Sequence, residues 1–132
     1  MRLAVGLVLL TLACSRPVDP SAATGVYVRS TAADTLWLRP AGGWVRHAWL
    51  DERGLIADSG HWTRDSVDGA PTLTFEQFSF HRVLPREVSG KVASAFGKPG
   101  FWLVQPRRTL TGVIELEIDP DVNDAFVRVR SD

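Results

Sequence analysis

The sequence predicts an all-β protein, a single small antiparallel barrel or sandwich of about seven to nine strands, after an N-terminal signal peptide. Three observations predict it. From residue 25 onward, short segments alternate apolar and polar residues. Clusters of Gly, Pro, Asp and Ser separate them roughly every 8–12 residues, the spacing of strands and turns. No segment keeps a helical period long enough to compete. The 132 residues make a one-domain length. With 45% hydrophobic and 23% charged residues, 11 Gly and 8 Pro, the composition excludes a disordered tail, a collagen-like chain and a polytopic membrane protein.

The elements follow in chain order. Residues 25–30 and 34–39 read as a hairpin turning near Ala32, with Val28 opposite Leu36 and Val26 opposite Leu38. Pro40 to Gly43 is a turn, and residues 44–50 form a third strand with aromatics on both faces. Glu52 to Gly54 and Asp58 to Gly60 read as loop positions, and residues 60–64 as strand four. Residues 72–75 continue to Phe78 and Phe80 at the opposite parity, which predicts a bulge or break at Glu76-Gln77. Residues 84–100 are the least regular stretch, a long loop with room for one helical turn. Residues 101–104 resume a strand. In the last hairpin Ile114 is expected opposite Val129, Leu116 opposite Val127, and Glu115 opposite Arg128 on the outer face.

The N-terminus is an address. Met1-Arg2 is followed by the ten-residue run LAVGLVLLTL and then Ala13-Cys14. A bilayer-spanning helix needs about 20 apolar residues. A basic start, a short apolar run and a small residue before the cut describe a secretory signal peptide. The chain's one Cys follows at once, and Leu10-Thr11-Leu12-Ala13-Cys14 resembles the permissive form of the lipobox of a bacterial lipoprotein precursor. That resemblance implies cleavage after Ala13 and lipid attachment at Cys14. Ser15 in place of Asp implies the outer membrane, with the body facing the periplasm. The expected organisation is a signal peptide over 1–13, an acylated Cys and flexible tether over 14–24, and a β domain over 25–132. The tether reading rests on two Pro, two Ser and no large apolar residue except Val18 between Ser15 and Thr24.

A second resemblance covers most of the remaining chain. Gly25-Val-Tyr27, Thr35-Leu-Trp-Leu38, Gly60-His-Trp62, Leu73-Thr-Phe-Glu-Gln-Phe78 and Gly100-Phe-Trp102 resemble small lipocalin-like extracytoplasmic bacterial β proteins. So do Gly112, Leu116, Asp119, Asp121, Phe126 and Arg128 near the C-terminus. The shared motifs are turns and core aromatics. They imply a fold and supply no catalytic residue.

Candidate chemistry is sparse. One Cys forms no intrachain disulfide and no cysteine-rich zinc site. A formal net charge of zero, from 15 basic and 15 acidic residues, argues against a nucleic-acid partner. Asp119-Pro-Asp-Val-Asn-Asp124 imitates the start of an EF-hand loop, but Asp124 stands where Gly is needed and Arg130 where a bidentate Glu is needed. His47, His61 and His81 show no metal-ligand spacing. Glu76 approaches His61 if strands four and five pair, the one acid–base candidate. There is no G-x-S-x-G, H-E-x-x-H or Walker A pattern. Arg107, Arg108, Arg128 and Arg130 read as outer-face partners of Glu115 and Glu117, ahead of a basic patch. No cofactor or metal is expected.

The aromatics remain. Trp37, Trp44, Trp62, Phe75 and Trp102 either fill the core or line a ligand cavity. Core filling is the favoured reading, because a barrel near eight strands is just wide enough for side chains or one small ligand. Trp62, two residues after Gly60, is expected as a core anchor near Leu36, Leu38 and Phe75. The functional expectation is a lipid-anchored, non-enzymatic envelope protein, a protein-binding or accessory module with an envelope partner. The alternative is a lipocalin-like carrier of a small apolar ligand.

Overall fold

The computed structural model describes residues 16–50, 54–79 and 100–132, and these are all-β. The strands are β1 (Arg16–Pro17), β2 (Gly25–Arg29), β3 (Asp34–Leu38), β4 (Gly43–Leu50), β5 (Gly54–Val67), β6 (Ala70–Phe78), β7 (Gly100–Val104), β8 (Arg107–Arg108), β9 (Ile114–Asp119) and β10 (Asp124–Arg130). Eight of the ten have five residues or more. One antiparallel sheet runs in the order β1-β8-β9-β10-β2-β3-β4-β5-β6-β7 and curls into a half-barrel. The pairing of β10 with β2 joins the C-terminal strands to the N-terminal meander. The expected signal peptide over 1–13, Cys14, His81 and nearly all of the irregular stretch 84–100 lie outside the described residues.

Both expected hairpin registers are displaced by one residue. Tyr27 stands opposite Leu36, Gly25 opposite Leu38 and Val28 opposite Thr35. A one-residue slip turns every side chain of a strand to the other face. Tyr27 is therefore fully buried and Val28 is 38% exposed, while Val26, expected to be buried, is buried at 8% exposure. In the C-terminal hairpin Leu116 faces Phe126, and Glu115 faces Val127 instead of Arg128. Phe126 is fully buried, and Val129 is 62% exposed. The cause is the same in both. An aromatic ring buries more area than a valine, so the face carrying Tyr27 or Phe126 wins the interior. That face also carries Arg29 in β2 and Asp124 in β10, which bond to each other. Gly25 sits where β2 and β10 touch. A Cβ there would lie 2.3 Å from the Arg130 carbonyl, and its φ is +137°.

The sheet bends at β5. This 14-residue strand pairs β4 through Gly54–His61 and β6 through Trp62–Val67. Asp58-Ser59-Gly60, expected as a loop, is thus strand, because Gly60 is needed for packing and not for turning. It lies opposite Trp44. A Cβ on Gly60 would come within 2.8 Å of three atoms of that indole. The predicted irregularity in β6 is present: Gln77 has φ 57° and the β6–β7 register shifts between Phe75 and Phe78. The bulge keeps both Phe75 and Phe78 buried.

Residues 16–24 are not a free tether. Arg16 and Pro17 pair with Arg108 and Arg107. The Val18 amide donates to the Pro106 carbonyl at 3.2 Å, and the Val18 side chain is buried. A 3-10 turn over Pro20–Ala23 is capped by the Asp19 carboxylate, which accepts from the Ser21 amide at 2.8 Å. Ala23 is fully buried, and its carbonyl accepts from the Tyr27 hydroxyl. Small and proline-rich composition suits close packing here as well as it suits a linker.

Candidate functional site

Inward parity on the four adjacent strands β4 to β7, and on β10, builds one lining. Trp44 comes from β4, Trp62 from β5, Phe75 and Phe78 from β6, Trp102 from β7 and Phe126 from β10, all buried. Their rings touch: Phe75 to Trp102 at 4.8 Å, Phe78 to Trp102 at 4.9 Å, Trp44 to Phe78 at 5.0 Å and Phe75 to Phe78 at 5.4 Å between centroids. These are contact distances for tilted and edge-on rings. Trp62 stands opposite Phe75, in one cluster with Leu36 and Leu38, as expected. Its indole N–H donates to the carbonyls of Arg39 and Gly43, each at 3.2 Å. Four of the five candidate aromatics therefore meet in the core. Trp37 does not. It is on the opposite face, half-buried, with its ring edge-on to His47 at 4.9 Å.

Beside this wall lies a buried charge network. Arg46 is 1% exposed. Its Nε donates to Asp34 Oδ1 at 2.8 Å and its Nη2 to Asp34 Oδ2 at 2.6 Å, while Nη1 reaches the Ser79 carbonyl. Its guanidinium carbon lies 4.8 Å from the centroid of Phe78 and 5.9 Å from that of Phe126, a cation–π arrangement. Asp34 also accepts from Arg29 Nη1 at 3.5 Å. Arg29 holds Asp124 by a two-point contact, Nε to Oδ1 at 2.9 Å and Nη2 to Oδ2 at 2.6 Å. Thr31 Oγ1 donates to Asp124 Oδ1 at 2.7 Å. Burial pushes the Asp124 carboxyl up, but hydrogen bonds from Arg29 and Thr31 and the Arg29 charge hold it below the ordinary carboxylate range. Burial alone lowers the Arg29 guanidinium, and Asp124 and Asp34 reverse that, so it is raised. Burial raises the Tyr27 phenol well above its usual value.

Two guanidiniums and two carboxylates in this geometry form a balanced plug. It can fix strand register and orient side chains, and it holds no nucleophile. The sequence singled out Asp124 only as a position of the EF-hand-like run, and Arg29, Asp34 and Arg46 not at all. Their signal was parity: Arg29 shares a face with Tyr27, Asp34 with Leu36 and Leu38, and Arg46 with Trp44 and Ala48.

The other candidates disperse. Asp119 caps the 3-10 turn Pro120–Val122, accepting from the Asp121 amide at 3.0 Å, and Asn123 is left-handed at φ 53°. Asp124 is drawn inward to Arg29, so the EF-hand-like run is a turn. A shallow cleft of about 140 Å³ beside it includes Glu115, Glu117 and Asp119. Among the described residues no group of three or more His, Cys, Asp or Glu is placed to hold a metal. His47 is exposed. His61 and Glu76 are exposed neighbours of the paired Trp62 and Phe75. Arg107 pairs with Glu117 at 3.4 Å, Arg108 Nη1 with the Gly112 carbonyl at 3.0 Å, and Arg128 Nη1 with the Ala22 carbonyl at 2.7 Å.

Fold and site together define an all-β half-barrel whose interior combines an aromatic wall with an ionic plug. Comparison with protein-family models, curated proteins and solved structures found no match.

Proposed function

We propose that this chain is a lipid-anchored cell-envelope protein, acylated at Cys14 and held at the outer membrane facing the periplasm. Its body acts as a non-enzymatic protein-binding or accessory module. One observation carries the choice of a binding module: the interior side chains are committed to one another. The rings of Phe75, Phe78 and Trp102 sit 4.8–5.4 Å apart, and Arg46 and Arg29 are bonded to Asp34 and Asp124. Recognition then falls to the outer surface. There β7 is a terminal strand of the described sheet, with Phe101 73% and Leu103 52% exposed. Exposed apolar side chains on a sheet edge suit strand-wise association with a protein partner.

The test is crosslinking of the full-length acylated protein in solubilised envelope, beside the double variant Phe101→Glu, Leu103→Glu. A partner captured by the wild type and lost with the folded double variant supports the reading. Trp62→Ala separates it from the carrier alternative. If that variant keeps a near-normal melting temperature yet loses one-to-one binding of an apolar fluorescent probe, the interior is a ligand site and the carrier reading replaces this one. Cys14→Ser should abolish acyl labelling and membrane retention, and unchanged membrane fractionation overturns the anchor.

A further inference from the structure

We infer that the rim formed by β1, β8 and the β8–β9 turn is a membrane-facing surface, pressed against phospholipid headgroups by the short chain between Cys14 and the folded body. The inference rests on the lipid-anchored reading above and adds an orientation to it.

The geometry begins with β1. Arg16 is level with Arg108 and Pro17 with Arg107, in an antiparallel ladder. Moving from Pro17 back to Arg16 is therefore moving from Arg107 to Arg108, toward the turn at residues 109–113. The chain enters the body beside that turn. Only Ser15 lies between Cys14 and Arg16, so two steps along the chain join them. They span at most about 7 Å when fully extended. A free ten-residue tether would let the body wander by roughly 16–19 Å. The docking of Val18, the 3-10 turn and Ala23 removes that slack. A lipid on Cys14 therefore enters the bilayer next to the β8–β9 turn.

The chemistry of the rim fits a headgroup layer. Leu110, at the tip of the turn, is 83% exposed. The turn around it is cross-bonded: Thr109 amide to Val113 carbonyl at 2.8 Å, Gly112 amide to Thr109 carbonyl at 3.0 Å, and the Thr109 and Thr111 hydroxyls to each other at 3.0 Å. Leu110 is thus displayed by a fixed frame. Flanking it are the exposed Arg16, Arg107 and Arg108. Arg107 is shared with Glu117, and Glu115 stands opposite it, so three arginines face two glutamates and the rim keeps a positive excess. Arginines beside an apolar tip match anionic phosphates above acyl chains. The β9–β10 turn, with Val122 63% exposed, lies at the far end of six-residue β9 and is the natural control. It is about 20 Å away along the strand.

The experiment places a reporter at each end. Leu110→Cys and Val122→Cys are made separately in the full chain whose own Cys14 is acylated. Each is labelled with an environment-sensitive fluorophore and reconstituted into vesicles of mixed zwitterionic and anionic phospholipid carrying a headgroup nitroxide quencher. The expected result is quenching at position 110 several-fold stronger than at 122. Adding Arg16→Glu and Arg108→Glu should reduce quenching at 110 while the protein stays vesicle-bound. Equal quenching at both positions on vesicle-bound protein overturns the orientation and leaves the anchor standing. Failure of the acylated chain to stay with vesicles overturns the anchor and the orientation together.

Discussion

At the scale of single residues the decisive group is Asp34, which is 3% exposed between two arginines. It accepts from Arg46 at 2.6 and 2.8 Å and from Arg29 at 3.5 Å. Removing one partner from a buried ionic network leaves an uncompensated charge and costs about 3–5 kcal/mol. Asp34→Ala should therefore lower unfolding stability by about that amount, a large share of the 5–15 kcal/mol typical of a domain. Arg107→Ala, at a pair with side chains 46% and 38% exposed, should cost less than about 1 kcal/mol. Urea unfolding of both variants checks the contrast, and equal losses contradict it. Asp124 supplies a pH signature. Its pKa is lowered in the folded state, by Arg29 and Thr31 acting against burial. A carboxyl depressed on folding contributes stability above its unfolded pKa, about 3.9, and loses it as pH falls through the lower folded value. The urea midpoint should fall as the medium is acidified from about pH 5 downward. Asp124→Asn should be less stable near neutrality and flatter across that acid range.

At the scale of elements, β5 makes one 14-residue strand serve two neighbours, the pairing passing from β4 to β6 between His61 and Trp62, and Gly60 lies just before that change. A methyl group there would meet the rigid indole of Trp44 at 2.8 Å. Gly60→Ala should therefore destabilise by about 1–3 kcal/mol, the cost of overpacking. Gly43→Ala, where nothing lies within 4 Å of a built Cβ, should stay within about 0.5 kcal/mol. Thermal unfolding of the pair tests whether the ring or the backbone sets the need for glycine. The sequence was legible at this scale wherever alternation was unambiguous, as in Leu36 and Leu38, Ile114 and Leu116, and the parity change in β6. It misled where a charged residue shared the inner face. Arg29 and Asp124 made the valine faces of β2 and β10 look like the buried ones. Two inward charges on separate strands are each a penalty alone, and only their mutual bond in the folded sheet removes it. That bond joins residues 95 positions apart, so no local pattern displays it. Trp37 failed for the related reason that a large apolar ring also packs on an outer face, here against His47.

At the scale of the whole molecule, the folded unit starts earlier than composition suggested. The fragment 25–132 has the signature of a complete β domain, yet Val18 is 4% exposed, Ala23 is fully buried, and the Tyr27 hydroxyl donates to the Ala23 carbonyl. Cutting the chain at residue 25 exposes the core surface under Val18 and strips Tyr27 of its acceptor. Burial of a valine contributes about 1.5–3 kcal/mol, and a buried hydroxyl left unpaired costs about 1–3 kcal/mol. Water reaching the uncovered hydroxyl recovers part of the second amount. The fragment 25–132 should therefore be less stable than 15–132 by about 2–4 kcal/mol, with the β-type circular dichroism of the longer chain retained. Chelator should leave both spectra unchanged, since arginine already holds both carboxylates of the plug. Matched urea melts of the two lengths decide the matter. Identical midpoints would mean that residues 16–24 rest on the body without stabilising it, and the short leash to Cys14 would lose its physical basis.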